Sequence, residues 1–176
     1  IKGGGKDLTR SEGQVKQGEL PTEKRTVNLK VATEEALRIE RLKELDKLKM
    51  LKSSLEKAID ADPKLQQFKK QILLDITSEG LRIQIVDEEN RPMFKSGSAR
   101  LESYTIKILR EIGKMLNQVP NKVSLSGHTD ARPYAFGEMG YSNWDLSADR
   151  ANASRRELIA GGMEEEKMVR VVGLSS

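Results

Sequence analysis

Cysteine is absent from this 176-residue sequence, and histidine occurs once, at His128. The first absence excludes disulfide staples, thiolate catalysis and sulfur ligands for structural zinc, and leaves the compartment open. The second argues against the catalytic zinc sites that use two or three histidines, so no metal and no cofactor is expected. Aromatic residues make up only 4% of the chain, too few to interleave with a basic stripe, so a nucleic-acid interface is not expected. No apolar run approaches the roughly 20 residues that cross a bilayer, and no signal-peptide pattern opens the chain. The first residue is Ile1, so the chain reads as a fragment or a processed product, with any membrane segment lying outside it.

Charge is plentiful and unevenly spread. Residues 1–70 carry 17 Lys and Arg against 12 Asp and Glu, and residues 71–176 carry 14 against 15. Solvated charge on a linker and a helix accounts for the basic front half at least as well as attraction to an anionic polymer. Residues 1–32 hold Gly3-Gly4-Gly5, Pro21 and few large apolar residues, too little to offset chain entropy, and read as a flexible linker. Val27, Leu29 and Val31 alternate and could add a strand edge.

Residues 33–70 read as a charged amphipathic helical segment. Thr33 is the expected N-cap, with Glu34 and Glu35 suited to the positive end of the helix dipole. Leu37, Ile39, Leu42, Leu45, Leu48, Leu51, Leu55 and Ile59 form a broad stripe without a clean heptad, and Asp62-Pro63 ends it. Packing on the chain's own domain is therefore expected over a coiled coil. From residue 71 the texture changes. Leu73, Leu74 and Ile76, then Leu81, Ile83 and Ile85, flank Thr77-Ser78-Glu79-Gly80 and predict a hairpin. Ile106, Leu109, Ile112 and Leu116 predict a helix over 103–119, closed by Pro120. Val123 and Leu125 predict a strand into Gly127, residues 146–160 a helix stopped by Gly161-Gly162, and 168–172 a last strand. Strands and helices alternate, so the class is α/β with one sheet and helices packed against it.

The chemically informative stretch is residues 126–156. Asp130 follows the end of a strand, where ligands of α/β sheets tend to bind, and Arg150 falls in the first turns of the next helix. A carboxylate and a guanidinium facing one cleft would hold a zwitterion, the first taking its ammonium and the second its carboxylate. From position alone, a simple Asp130–Arg150 ion pair or a turn capped by Asp130 explains the same residues. Asn143 and Ser147 read first as helix caps.

The string Gly127-His128-Thr129-Asp130, then Asn143-x-x-Leu146-Ser147-x-x-Arg150-Ala151, resembles the signature of the OmpA-like peptidoglycan-binding domain, and Phe94-x-x-Gly97-Ser98-Ala99 matches a segment upstream in that family. The resemblance covers about residues 70–176 and implies a two-layer α+β sandwich with a single mixed sheet under helices. It also implies that Asp130 and Arg150 hold the diaminopimelate of the wall's stem peptide, with Thr129, Asn143 and Leu146 nearby. The long segment holding Pro133-Tyr134 and Gly140–Ala153 is similar to the flagellar motor stator proteins within the family. That likeness implies an anchor to the wall in the periplasm, an inner-membrane helix upstream, a proton-channel partner subunit and a homodimer. The family continues past its Val-Val-Gly strand, so an edge strand is expected to be missing.

Enzymatic readings are weaker. No Gly-x-Ser-x-Gly elbow accompanies His128, and Glu138 in a loop lacks the apolar pocket that would raise its pKa. His128 reads as a structural residue. Tyr134, Phe136, Tyr141 and Trp144 could stack on sugars, although packing is the expected role of at least two. An outer-membrane wall anchor, and further off a wall hydrolase, are the alternatives.

Overall fold

The computed structural model describes residues 22–130 and 140–176. The chain divides into two units, Ile1–Leu45 and Asp46–Ser176, and the first helix, α1 (Thr22–Ala61), contributes to both. After it come α2 (Pro63–Gln66), β1 (Ile72–Thr77), β2 (Gly80–Ile85), α3 (Ser103–Asn117), β3 (Val123–Gly127), α4 (Asn143–Ala160) and β4 (Met168–Gly173).

α1 starts earlier than the sequence predicted. The linker expected over residues 1–32 lies outside the described residues as far as residue 21, and residues 22–32 are helical. Thr33 is accordingly not an N-cap. Its hydroxyl donates to the Leu29 carbonyl one turn back at 2.7 Å, the contact of a threonine inside a helix. The expected strand edge at Val27, Leu29 and Val31 is also helix, and these side chains are exposed. Low apolar content had argued for linker, but straight-chain Lys, Arg, Glu and Leu lose little rotamer freedom in a helix, which can form without a buried face of its own.

In the first unit Leu37, Ile39 and Leu42 are exposed, and Leu45 is marginally so. The stripe joins the core only from Leu51 onward. Leu55 and Ile59 are buried with Leu65, Phe68 and Ile72, and the same cluster takes Ile108, Leu109, Ile112, Met115 and Leu116 from α3, with Leu158 and Met163. Each such side chain contributes about 1.5–3 kcal/mol through burial. The core of the second unit thus draws on residues well before Gln71.

The hairpin is in the predicted place. Thr77 pairs with Gly80 across a two-residue turn, and Gly80 takes φ +131°, which favours glycine. α3 buries its Ile108, Leu109, Ile112, Met115 and Leu116 side and ends at Asn117, three residues before Pro120. β3 and β4 are parallel neighbours joined through α4, the crossover that parallel pairing requires. One expectation fails in detail: the described strands form two two-stranded sheets, β1–β2 and β3–β4, in place of a single mixed sheet. A tight turn specifies the first pair and a helical crossover the second, whereas no local pattern specifies a ladder between the pairs. Both ladders still lie against one core, the first through Leu74, Leu81, Ile83 and Ile85 and the second through Val123, Leu125 and Met168. The α/β class holds. Among the described residues no helix is long and apolar enough to cross a membrane.

Candidate functional site

α4 begins in a specified way. Ser142 is its N-cap, and the Ser142 backbone N–H and hydroxyl donate to Asp145 Oδ2 at 2.8 and 2.7 Å. These bonds, hydroxyl first and then backbone, hold the Asp145 carboxyl below the usual aspartate range. Tyr141 adds a second tie, its hydroxyl donating to Asp149 Oδ2 at 2.6 Å. The helix therefore starts at Asn143, three residues before the predicted start. Asn143 and Ser147, expected as caps, take other roles. Asn143 Nδ2 donates to the Asp130 carbonyl at 3.4 Å. Ser147 is fully buried, donates to the Trp144 carbonyl at 2.9 Å and accepts from the Ser175 N–H at 3.0 Å.

α4 also lies unusually close to the two parallel strands. A Cβ on Gly127 would stand 2.1 Å from the Ser147 carbonyl oxygen, and one on Gly173 would stand 2.4 Å from the Ala148 nitrogen. Only glycine permits that approach at the carboxyl ends of β3 and β4. The chain beyond the strands is stitched down by Leu174 N–H to the Gly127 carbonyl at 3.0 Å and Thr129 N–H to the Ser175 carbonyl at 2.8 Å.

This frame brings the predicted polar residues to one edge. Asp130 is exposed just past β3. Arg150, half-buried in α4, donates from Nη1 to the His128 carbonyl at 3.3 Å and from Nε to the Ser98 carbonyl at 3.1 Å. Its guanidinium carbon lies 4.8 Å from the centre of the Phe94 ring. Among the described residues no ion pair joins Asp130 to Arg150. The simple mutual pair allowed by the sequence is not what the chain forms, and among the described residues Arg150 Nη2 stays uncommitted. Among the described residues Thr129 Oγ1 is buried without a hydrogen-bond partner, a position that suits a water or a ligand atom. Leu146 is 4% exposed and serves as packing in the first turn of α4. His128 contributes its backbone carbonyl to the site.

Sequence reasoning noted Phe94 and Ser98 within a family segment but assigned them no part in the site. No local signal could have done so, since 52 residues separate Ser98 from the Arg150 it contacts. Tyr134, Phe136 and Glu138 lie outside the described residues. Trp144 is 64% exposed, so packing is not its role. Among the described residues no group of three or more His, Cys, Asp and Glu is placed to hold a metal ion.

Comparison with known proteins shows what the chain is similar to. Residues 93–176 match the OmpA family. Over its whole length the chain is 48% identical to motility protein B of Escherichia coli K12, and it covers 52% of that protein. It is 38% identical over 102 residues to the truncated flagellar export/assembly protein LafU of the same organism, a match covering 58% of this chain and 47% of the relative. A crystal structure of a MotB-like protein from Desulfovibrio vulgaris shares the fold, with a TM-score of 0.61 at 13% identity over 76% of this chain and 78% of that one. The chain spans about half the length of motility protein B. The chain is thus similar to the OmpA family over residues 93–176 and to motility protein B throughout.

Proposed function

We propose that this chain is a non-catalytic anchor of the flagellar motor stator, and that Asp130 and Arg150 hold the diaminopimelate of the peptidoglycan stem peptide. The observation that carries the reading is the pair of opposite charges at one edge, unjoined to each other. The Asp130 carboxylate is exposed and can accept an ammonium. Arg150 has its Nε and Nη1 on backbone carbonyls, which leaves Nη2 and the second Nη1 hydrogen for a carboxylate. The ligand is met at the end of the guanidinium, because the Nε edge is already in use. Thr129 Oγ1 and Asn143 stand beside this edge of the site, and Leu146 packs the helix that carries Arg150. The site makes and breaks no covalent bond.

Similarity to motility protein B along the whole chain supports the stator context. In that reading the unit works in the periplasm as a homodimer, the full-length protein sits in the inner membrane through a segment outside this chain, and the proton-channel partner MotA joins there. A wall anchor of an outer-membrane protein is the second reading, favoured by the family match alone.

Binding to insoluble sacculi and to a soluble diaminopimelate-containing stem peptide tests the site. Truncating one partner of an interfacial charge pair costs about 2–5 kcal/mol, so Arg150→Ala and Asp130→Asn weaken peptide binding well over tenfold while circular dichroism stays that of the parent. Arg150→Lys rescues poorly, since one ammonium cannot span two carboxylate oxygens. The soluble peptide matters because a dimer on a polyvalent wall masks part of the loss through effective concentration. Folded variants that bind as well as the parent would remove both residues from the site.

A further inference from the structure

Arg150 is held on three sides by groups from two distant segments. One of them, Met93–Glu102, folds back on itself and onto the start of α3. Within it, Lys95 N–H donates to the Arg100 carbonyl at 2.9 Å, Ser98 N–H to the Lys95 carbonyl at 3.0 Å, and Glu102 N–H to the Met93 carbonyl at 3.0 Å. Phe94 and Leu101 form an isolated antiparallel bridge, and Gly97 turns the chain with φ +59°. Two residues of α3 clamp this segment and the residue before it: the fully buried Thr105 donates its hydroxyl to the Met93 carbonyl at 2.9 Å, and Tyr104 donates to the Pro92 carbonyl. Phe94 and the Ser98 carbonyl thus sit on a loop whose shape is set before any ligand arrives.

We infer that Phe94 is a positioning residue for the anion that Arg150 takes: its ring and the Ser98 carbonyl fix the plane of the guanidinium and so the direction from which a carboxylate can be received. This rests on the reading of Arg150 as the carboxylate ligand. An arginine side chain has several rotatable bonds, and its freedom opposes binding unless it is lost beforehand. The ring beneath the guanidinium supplies cation–π attraction and covers one of its faces. Ser98 occupies Nε and His128 occupies one hydrogen of Nη1, so the open end bearing Nη2 is the remaining donor edge. A ring at position 94 is required for this, and an aliphatic side chain of similar size is not equivalent.

The test compares Phe94→Leu, Phe94→Met and Phe94→Tyr in the full 176-residue chain with the parent and with Arg150→Ala. Binding of the soluble diaminopimelate stem peptide is measured by calorimetry, and the Arg150 Nε–H resonance is followed by NMR in the absence of peptide. Phe94→Leu and Phe94→Met should each weaken the peptide about fivefold or more. Both should also shift the Nε–H signal and speed its exchange with water, while backbone amide protection along α4 stays that of the parent. Phe94→Tyr, which keeps the ring, should retain binding and the protected signal. A merely structural role would instead lower α4 protection in step with affinity and leave the Nε–H unaffected in the folded fraction, which would overturn the inference. Normal peptide binding by folded Phe94→Leu or Phe94→Met alongside lost binding by Arg150→Ala overturns the positioning role alone. Normal binding by Arg150→Ala overturns the site reading on which it stands.

Discussion

Gly127 and Gly173 face each other as register partners at the ends of β3 and β4, and the backbone of α4 lies against both of them. The pair sets how far the helix carrying Arg150 stands from the strand that delivers Asp130. Gly127→Ala or Gly173→Ala would place a methyl carbon within 2.1 or 2.4 Å of helix backbone atoms. Backbone cannot step aside as the tip of a side chain can. Each variant is expected to lose at least about 1–3 kcal/mol of stability, read as a lower melting temperature. Peptide affinity should fall as well, because α4 is displaced. Unchanged melting in both would mean that α4 does not rest on the strands.

A second prediction separates the two parts of α1. Leu55 is buried in the core and Leu42 is 53% exposed. Leu55→Asp forces an unpaired charge out of water and should cost several kcal/mol, whereas an exposed site usually stays within about 0.5 kcal/mol. Melting curves of the two variants decide it. Equal destabilisation would show that the exposed stripe is covered in solution.

Thr129 provides a third test. Its buried Oγ1 has no partner among the described residues, so Thr129→Val removes a polar atom that they leave unsatisfied. Stability should hold or rise, and stem-peptide affinity should drop if that hydroxyl meets the ligand. A clear loss of stability would instead reveal an internal partner for the hydroxyl.

Part of the acid sensitivity should trace to Glu111. Its side chain is 14% exposed and lies 3.0 Å from Lys64 Nζ and 3.1 Å from Lys114 Nζ. The hydrogen bonds from Lys64 and then Lys114 hold its carboxyl below the ordinary glutamate range. A depressed folded pKa means the contribution is fully present above the unfolded value of about 4.3 and is lost as pH falls through the lower folded value. Glu111→Gln should therefore flatten part of the stability profile below about pH 4.3 and change little at pH 7 beyond the loss of two surface pairs, within about 1 kcal/mol. Denaturant unfolding at a series of pH values reads this directly, and a parallel decline in both proteins would assign the acid sensitivity elsewhere.

Much of the second unit was legible because its instructions are local. The spacing of Ile106, Leu109, Ile112 and Leu116 specifies a helix, Thr77-Ser78-Glu79-Gly80 specifies a hairpin turn, and the order of Asp130 and Arg150 along a strand, loop and helix puts both at one edge. Residue patterns of period 2 and 3.6 report backbone geometry with no need for distant contacts. The start of α1 was misread for the same reason: its exposed residues carry helix propensity but no burial pattern to mark it. The tertiary structure alone decided how Arg150 is used. Its ring partner Phe94 and the carbonyls of Ser98 and His128 come from segments distant along the chain whose contact with it no local pattern specifies, and α4 packs closely over Gly127 and Gly173 where they meet. A single sequence specifies which groups are available. Whether an arginine pairs with an aspartate or stands ready for a ligand depends on distances that only packing sets.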